Sequence, residues 1–147
     1  MKKTLALILL LALLLCGCGG KDTPQEKVGN SLGFDLSGAE LMSESDTHGG
    51  FHGDGMSIIV LRPENVPIDL ENREGWHKLP VSKDCPGWWW AYATLPAEVE
   101  DGYWYFYDRH REAVDPYDYS AATGHKSQNY TMAIYRGGFL QYLEYDS

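Results

Sequence analysis

Basic side chains are scarce in this 147-residue sequence, and their shortage limits the classes of molecule that the protein could bind. Twelve lysines and arginines stand against 21 aspartates and glutamates. Without Lys2 and Lys3 at the start of the chain, ten basic side chains remain, a balance of −11. Phosphate backbones and anionic headgroups repel such a surface. We therefore expect no nucleic-acid partner and consider cations, basic proteins and neutral glycans.

Long apolar runs are absent except for one near the start. Leu5–Leu15 contains eleven consecutive apolar residues and follows the basic start MKKT. A transmembrane helix needs roughly 20 such residues, so this run is typical of a signal-peptide core. The following LCGC resembles a bacterial lipobox, whose cysteine is lipidated and becomes the mature amino terminus. Gly17 before Cys18 is small whereas Leu15 before Cys16 is bulky, so we predict a diacylglyceryl group on Cys18.

This segment sets the predicted domain organisation. Residues 1–17 are interpreted as a lipoprotein signal peptide, and 18–30 as the lipidated Cys18 with a flexible tether, GGKDTPQEKVGN. Residues 31–147 form one β-rich globular domain. Two acyl chains are enough for stable anchoring, so we predict attachment to the extracytoplasmic side of the cell membrane. Cys85 would be the only free thiol, which excludes an intramolecular disulfide, and we interpret it as buried and inert.

Short apolar and aromatic segments separated by turn residues dominate this domain. They predict an α+β fold of mostly antiparallel β structure, a curled sheet or half-barrel with a short covering helix. The helix is predicted at Asp69–Glu74, and Met56–Arg62 is predicted as a strand buried on both faces. The other predicted strands are Gly33–Leu36, Ala39–Ser45, Trp76–Val81, Trp88–Ala93, Gly102–Asp108, Asn129–Arg136 and Phe139–Tyr145.

The last two of these strands form the clearest predicted hairpin. Gly137-Gly138 suits a two-residue type I′ or II′ turn. This turn fixes the register, and it places Tyr130, Met132 and Ile134 on one face with Tyr145, Leu143 and Gln141.

The segment DTHGGFHGDG, residues 46–55, is the first candidate site. Imidazole and carboxylate ligands suit zinc, manganese or iron, so a divalent metal could bind Asp46, His48, His52 and Asp54. Its four glycines exclude a helix, on which His-x3-His would share one side. The first alternative is a structural loop in which Asp54-Gly55 is a turn pair, glycines allow positive φ and aspartates cap turn N–H groups. The second is a loop that contacts a ligand without a metal.

A second polar segment, YDRHREAVDPYDYS at 107–120, follows the aromatic strand. If that strand lies beside Met56–Arg62, Asp108 or His110 would complete a metal site with His48 and His52. In the structural alternative, Arg109 pairs with Asp115 or Asp118 and fixes the loop. The sequence contains no serine-hydrolase elbow, phosphate-binding P-loop or HExxH motif.

The third candidate is the aromatic run at Trp88–Trp90. On a strand, Trp88, Trp90 and Tyr92 share one face. These side chains either pack in the core or form an exposed ligand-contact surface for a sugar or a protein.

Several segments together resemble small lipoproteins of Gram-positive anaerobes. They are DTHGGFHGDG, the W-x2-LP element at Trp76–Pro80, DGYWYFYDRH at 101–110, DPYD at 115–118 and the closing hairpin. The resemblance implies export and lipidation, and it supplies no activity and no catalytic residues.

Three functions follow from these patterns. The first is a non-enzymatic, membrane-anchored domain that binds a partner such as a basic protein. The second is a metal-binding or metal-dependent hydrolytic protein that uses His48, His52, Asp54, Asp108 and His110. The third is a glycan-binding module that uses the tryptophans.

Overall fold

Antiparallel strands make up most of the computed structural model, which describes residues 22–49, 53–65, 69–81, 100–110, 112 and 129–147. Helix α1 (Pro24–Leu32) comes first, and a 3-10 helix at Leu70–Asn72 lies between the second and third strands. The strands are β1 (Glu40–Asp46), β2 (Gly55–Arg62), β3 (Trp76–Lys78), β4 (Tyr103–Asp108), β5 (Asn129–Arg136) and β6 (Phe139–Asp146).

All six strands belong to one antiparallel sheet in the order β1-β2-β6-β5-β4-β3. The sheet is open, and β1 and β3 are its edges among the strands that the structure describes. The prediction of a mostly antiparallel α+β fold is therefore confirmed, and the open sheet fits the expected curled sheet. None of the helical segments in the described ranges has the length and apolar character needed to span a bilayer.

The β5–β6 hairpin has the predicted register. Tyr130 lies opposite Tyr145, and Met132 lies opposite Leu143. Gly137 and Gly138 connect the strands with φ values of 57° and 80°. Positive φ at both central positions defines a type I′ turn, which glycine adopts without the steric cost of a Cβ atom.

Side chains alternate between the two faces of the sheet, and each face has its own core. On the first face, Tyr142 and Ile59 are fully buried with Trp76 and Tyr105. On the second face, Trp104 is buried with Phe106, Met132 and Leu143. β2 was predicted to be buried on both faces; its Ser57, Ile59 and Leu61 are buried, whereas Ile58 and Val60 are half-buried.

The structure differs from the predicted tether, because residues 24–30 belong to α1. Thr23 caps the helix: its hydroxyl accepts from the Glu26 N–H at 3.2 Å, and Glu26 accepts from the Thr23 N–H at 2.8 Å. Val28 is fully buried on the first face, which contributes about 1.5–3 kcal/mol for a side chain of this size. The reciprocal cap and this burial outweigh the polar composition of the segment.

Other predicted elements are shorter than expected. Asp69–Glu74 was predicted as a helix, and only Leu70–Asn72 forms a 3-10 turn. Trp76–Val81 is a strand only as far as Lys78, and Gly33–Leu36 contains no strand. The predicted strand Trp88–Ala93 lies outside the described residues. The covering helix of the first face is therefore α1.

We expect Gly29→Ala to destabilise the fold, although alanine normally favours a helix over glycine. A Cβ atom at Gly29 would lie 2.7 Å from the carbonyl oxygen of Phe34, and overpacking of this kind costs about 1–3 kcal/mol. Urea denaturation measures the change. Asn30→Ala, at an exposed position of the same helix, is the matched control and should be neutral or stabilising. Equal stability of both variants would contradict the close approach of the Phe34 carbonyl to Gly29.

Candidate functional site

Several chain segments converge at one end of the sheet. Gly55 at the start of β2 lies opposite Asp146 at the end of β6, and Asp146 also lies opposite Asn129. Asp108 at the end of β4 pairs with Tyr130, beside Asn129. β5 and β6 separate β4 from β2, so the two strands are not neighbours. Their loops still reach the same sheet end because the antiparallel order alternates the chain direction.

His48 bridges two aspartates at this end. Its Nδ1 lies 2.6 Å from Oδ1 of Asp46, and its Nε2 lies 3.1 Å from Oδ2 of Asp146. Carboxylate oxygens only accept hydrogen bonds, so both contacts are complete when both ring nitrogens carry protons. The bridge therefore connects the β1–β2 loop to the last residues of the chain, 98 positions away in the sequence.

Asp46 is held by the backbone as well as by the ring. Its Oδ1 accepts from the His48 N–H at 2.8 Å, which is the turn-capping role predicted for the aspartates of this loop. These two bonds, the backbone one first, lower the pKa of the Asp46 carboxyl from its ordinary value. Thr47 extends the contact between the strands, since its N–H donates to the Met56 carbonyl at 2.9 Å.

Asp146 also binds Arg109, the residue after β4. The Arg109 Nη2 lies 2.6 Å from Asp146 Oδ1 and donates to the Tyr145 carbonyl at 3.2 Å. Its Nη1 lies 3.8 Å from Glu144. Arg109 was predicted to pair with Asp115 or Asp118, and both lie outside the described residues. Among the described residues, the partners of its guanidinium belong to β6.

Lys27 of α1 extends this cluster across the first face. Its Nζ lies 2.5 Å from Glu144 Oε2 and donates to the Ser57 hydroxyl at 3.3 Å. We call the connected set the sheet-end network. It comprises Asp46, His48, Asp146, Arg109, Glu144, Lys27 and Ser57. With His48 protonated, the three carboxylates of the network face its three cations, which are His48, Lys27 and Arg109. The side chains of His48, Lys27, Arg109 and Asp146 are 20–33% exposed.

A glycine makes the His48 bridge possible. A Cβ atom at Gly55 would lie 2.7 Å from the His48 nitrogen, 2.8 Å from its Cα and 2.9 Å from its Cδ2. Two of these atoms belong to the backbone, so the loop would have to move. The sequence indicated Asp54-Gly55 as a turn pair, whereas the structure places Gly55 in β2 beneath His48.

The predicted metal ligands are not brought together in the described part of the chain. Asp108 shares the second face with Trp104 and Phe106, and it accepts the His110 N–H at 3.0 Å. His48 binds Asp146 on the first face, where α1 packs. Asp54 is exposed, and His52 lies outside the described residues. Within the described ranges, no group of three or more histidine, cysteine or acidic side chains is placed to hold a metal.

Cys18, Trp88, Trp90 and Tyr92 all lie outside the described residues. Four of the seven residues of the sheet-end network were not candidates in the sequence: Asp146, Glu144, Lys27 and Ser57. The sequence carried a signal for the two acidic residues of β6. Every second residue of a strand lies on the same face, and along this face β6 changes from the apolar Leu140 and Tyr142 to the acidic Glu144 and Asp146.

Comparisons with known proteins add no relative. No family model matches the chain, and neither the curated proteins nor the solved structures contain a significant match. The interpretation of the site therefore depends on its own geometry.

We expect Gly55→Ala to displace His48 and break its contact with Asp146, lowering the unfolding free energy by about 1–3 kcal/mol. Urea denaturation measures this loss. Gly49→Ala is the matched control, since the nearest atom to its Cβ would be the Thr47 carbonyl oxygen at 3.9 Å.

A double-mutant cycle tests the mechanism of this loss. In an Asp146→Ala background the bridge is already broken, so Gly55→Ala should cost less than in the parent protein. Additive losses, or equal losses for Gly49→Ala and Gly55→Ala, would refute the link between Gly55 and the bridge.

Proposed function

We propose that this chain is a lipid-anchored protein on the extracytoplasmic side of a bacterial membrane, and that its domain binds a partner without catalysing a reaction. The amino-terminal sequence supports the anchor, because it combines a short apolar core with LCGC. The acidic balance of the chain supports a basic protein as partner, since opposite potentials steer association.

The position of helix α1 limits the distance between the domain and the membrane. Helix α1 is capped by Thr23, only five residues after Cys18. Five residues of fully extended chain span at most about 18 Å. The domain would therefore lie next to the bilayer, because the residues expected to lift it away belong to α1 and its cap.

The contacts of the His48 ring favour binding over catalysis. Both ring nitrogens of His48 contact carboxylates of the same chain, and Arg109 and Lys27 contact Asp146 and Glu144. A general base or a metal ligand needs a nitrogen lone pair directed at the substrate or the ion. In this arrangement the polar side chains fasten the chain end and α1 to the sheet, which supports a structural role for the sheet-end network.

We expect Cys18→Ala to abolish lipid attachment, and Cys16→Ala to preserve it. Only Cys18 follows a small residue, and only its thiol would carry the diacyl group whose two chains hold the protein in a bilayer. Radiolabelled palmitate incorporation and detergent phase separation, in a bacterial host that lipidates proteins, measure the outcome. If only Cys16→Ala lost the label, Cys16 would be the lipidated residue. If the parent protein took up no label, the lipid anchor would be refuted.

We expect zinc, manganese and calcium to leave the melting temperature of the purified protein unchanged relative to a chelator. A ligand that binds the native state raises stability by mass action, and the His48 nitrogens are already engaged. Thermal unfolding in a neutral detergent measures the response. A metal-dependent rise that His48→Ala abolishes would contradict this proposal and favour the metal-dependent alternative.

A further inference from the structure

The two edges of the sheet differ in how well they are protected from pairing with another chain. β3 has three residues, ends at Lys78 and is followed by Pro80. Short length, lysine and proline are common ways to block an edge strand. β1 has seven residues, ELMSESD, with no proline and no basic side chain, and all seven are exposed. β1 is therefore the open edge.

The hydrogen-bond pattern shows which backbone groups of β1 point outward. The Thr47 N–H donates to the Met56 carbonyl in β2. Along an antiparallel strand, the residues whose N–H and C=O groups face a given neighbour alternate, so the N–H and C=O groups of Ser45 also point towards β2. The N–H and C=O groups of Glu44 and Asp46 then point away from the sheet. They are the groups that an added strand would bind.

Side chains on β1 combine negative charge with apolar surface. Leu41 and Met42 are 40% and 42% exposed, and the strand bulges between Leu41 and Ser43. Glu40 pairs with Arg62 at 2.9 Å, and Asp46 binds His48. Glu44 lies between these pairs in the sequence. Leu41 and Asp46 lie opposite Leu61 and Ser57 of β2, whose side chains are on the first face, and Glu44 is on that face too. An added strand would meet an apolar end and an acidic end.

A second copy of this chain is a poor occupant for the same edge. Antiparallel pairing of β1 with itself would bring two acidic strands side by side, and each chain carries a formal charge of −9. Like charges across strands destabilise a sheet. The complementary occupant is a segment that carries lysine or arginine where β1 carries glutamate.

We propose that β1 docks an extended, basic segment of another protein, which adds a strand to the sheet beside β1. The backbone groups of Glu44 and Asp46 supply the hydrogen bonds, and Leu41 and Met42 supply apolar contact. This mode of peptide recognition gains affinity from main-chain pairing and specificity from alternate side chains. The inference deepens the proposed binding function and rests on it.

The test uses a fluorescent ten-residue peptide of alternating lysine and valine, and protein purified in neutral detergent at low salt. Fluorescence anisotropy measures the affinity of the parent protein, Glu44→Ala and Glu44→Pro. Glu44→Ala removes one cross-strand charge and should weaken binding up to about fivefold. Glu44→Pro also removes an outward N–H and should weaken binding by a further tenfold or so.

Two control peptides separate strand pairing from charge. Replacing valine by proline keeps the charge and prevents pairing, and replacing lysine by glutamate reverses the charge. Neither should bind detectably. Equal binding of the proline peptide, or equal affinity of Glu44→Pro and Glu44→Ala, would overturn the proposal.

Folding and self-association have their own readouts. Proline is tolerated on an edge strand where the N–H faces solvent, so Glu44→Pro should melt close to the parent protein. Amide exchange on the parent protein adds a measurement without any variant: the peptide should slow exchange at Glu44 but leave Ser45 unchanged. Unchanged exchange at Glu44 would overturn docking at β1, and so would a dimer of the parent protein that Glu44→Pro dissociates.

These results are independent of the anchor. The peptide assay needs no lipid, so loss of palmitate labelling would leave the docking result intact. Failure of the peptide to bind would likewise leave the anchor at Cys18 standing.

Discussion

The register of the central hairpin is the constraint on which the rest of the structure depends. Shifting a strand by one residue moves every side chain to the opposite face. The Gly137-Gly138 turn fixes β5 against β6, and β6 in turn pairs with β2. One register therefore buries Tyr142, directs Glu144 towards Lys27 and places Asp146 within reach of both His48 and Arg109.

Helix α1 joins the apolar and polar parts of the first face. Val28 fills the core, and the Tyr142 hydroxyl donates to Ser31 at 2.8 Å in the middle of that face. Burial raises the pKa of this hydroxyl, because the ionised form would lose its hydration. Lys27 lies one turn earlier, at the polar end. A segment close in sequence to the proposed anchor thus belongs to the folded domain.

Local signals predicted the strands better than the helices. The Gly-Gly turn, the aromatic run of β4 and the apolar run of β2 each specify a strand without distant contacts, and all three were found. The composition of residues 18–30 suggested a tether, and the Thr23–Glu26 capping box within it was the missed helix signal. Asp69–Glu74 has helix-forming residues, but the nine-residue helix α1, which buries Val28, Gly29 and Leu32, already covers the first face.

The sequence by itself determined β2, β4, the hairpin register, the acidic balance and the lipobox-like start, because these depend on neighbouring residues or on totals. Only the tertiary structure decided which polar residues meet. His48 and Asp146 are separated by 98 positions. Asp108 lies on the other face, although its place after the aromatic strand suggested that it could meet His48. Strand order and side-chain alternation set such contacts, and both require the whole sheet to be assembled before any pair of residues can be assigned.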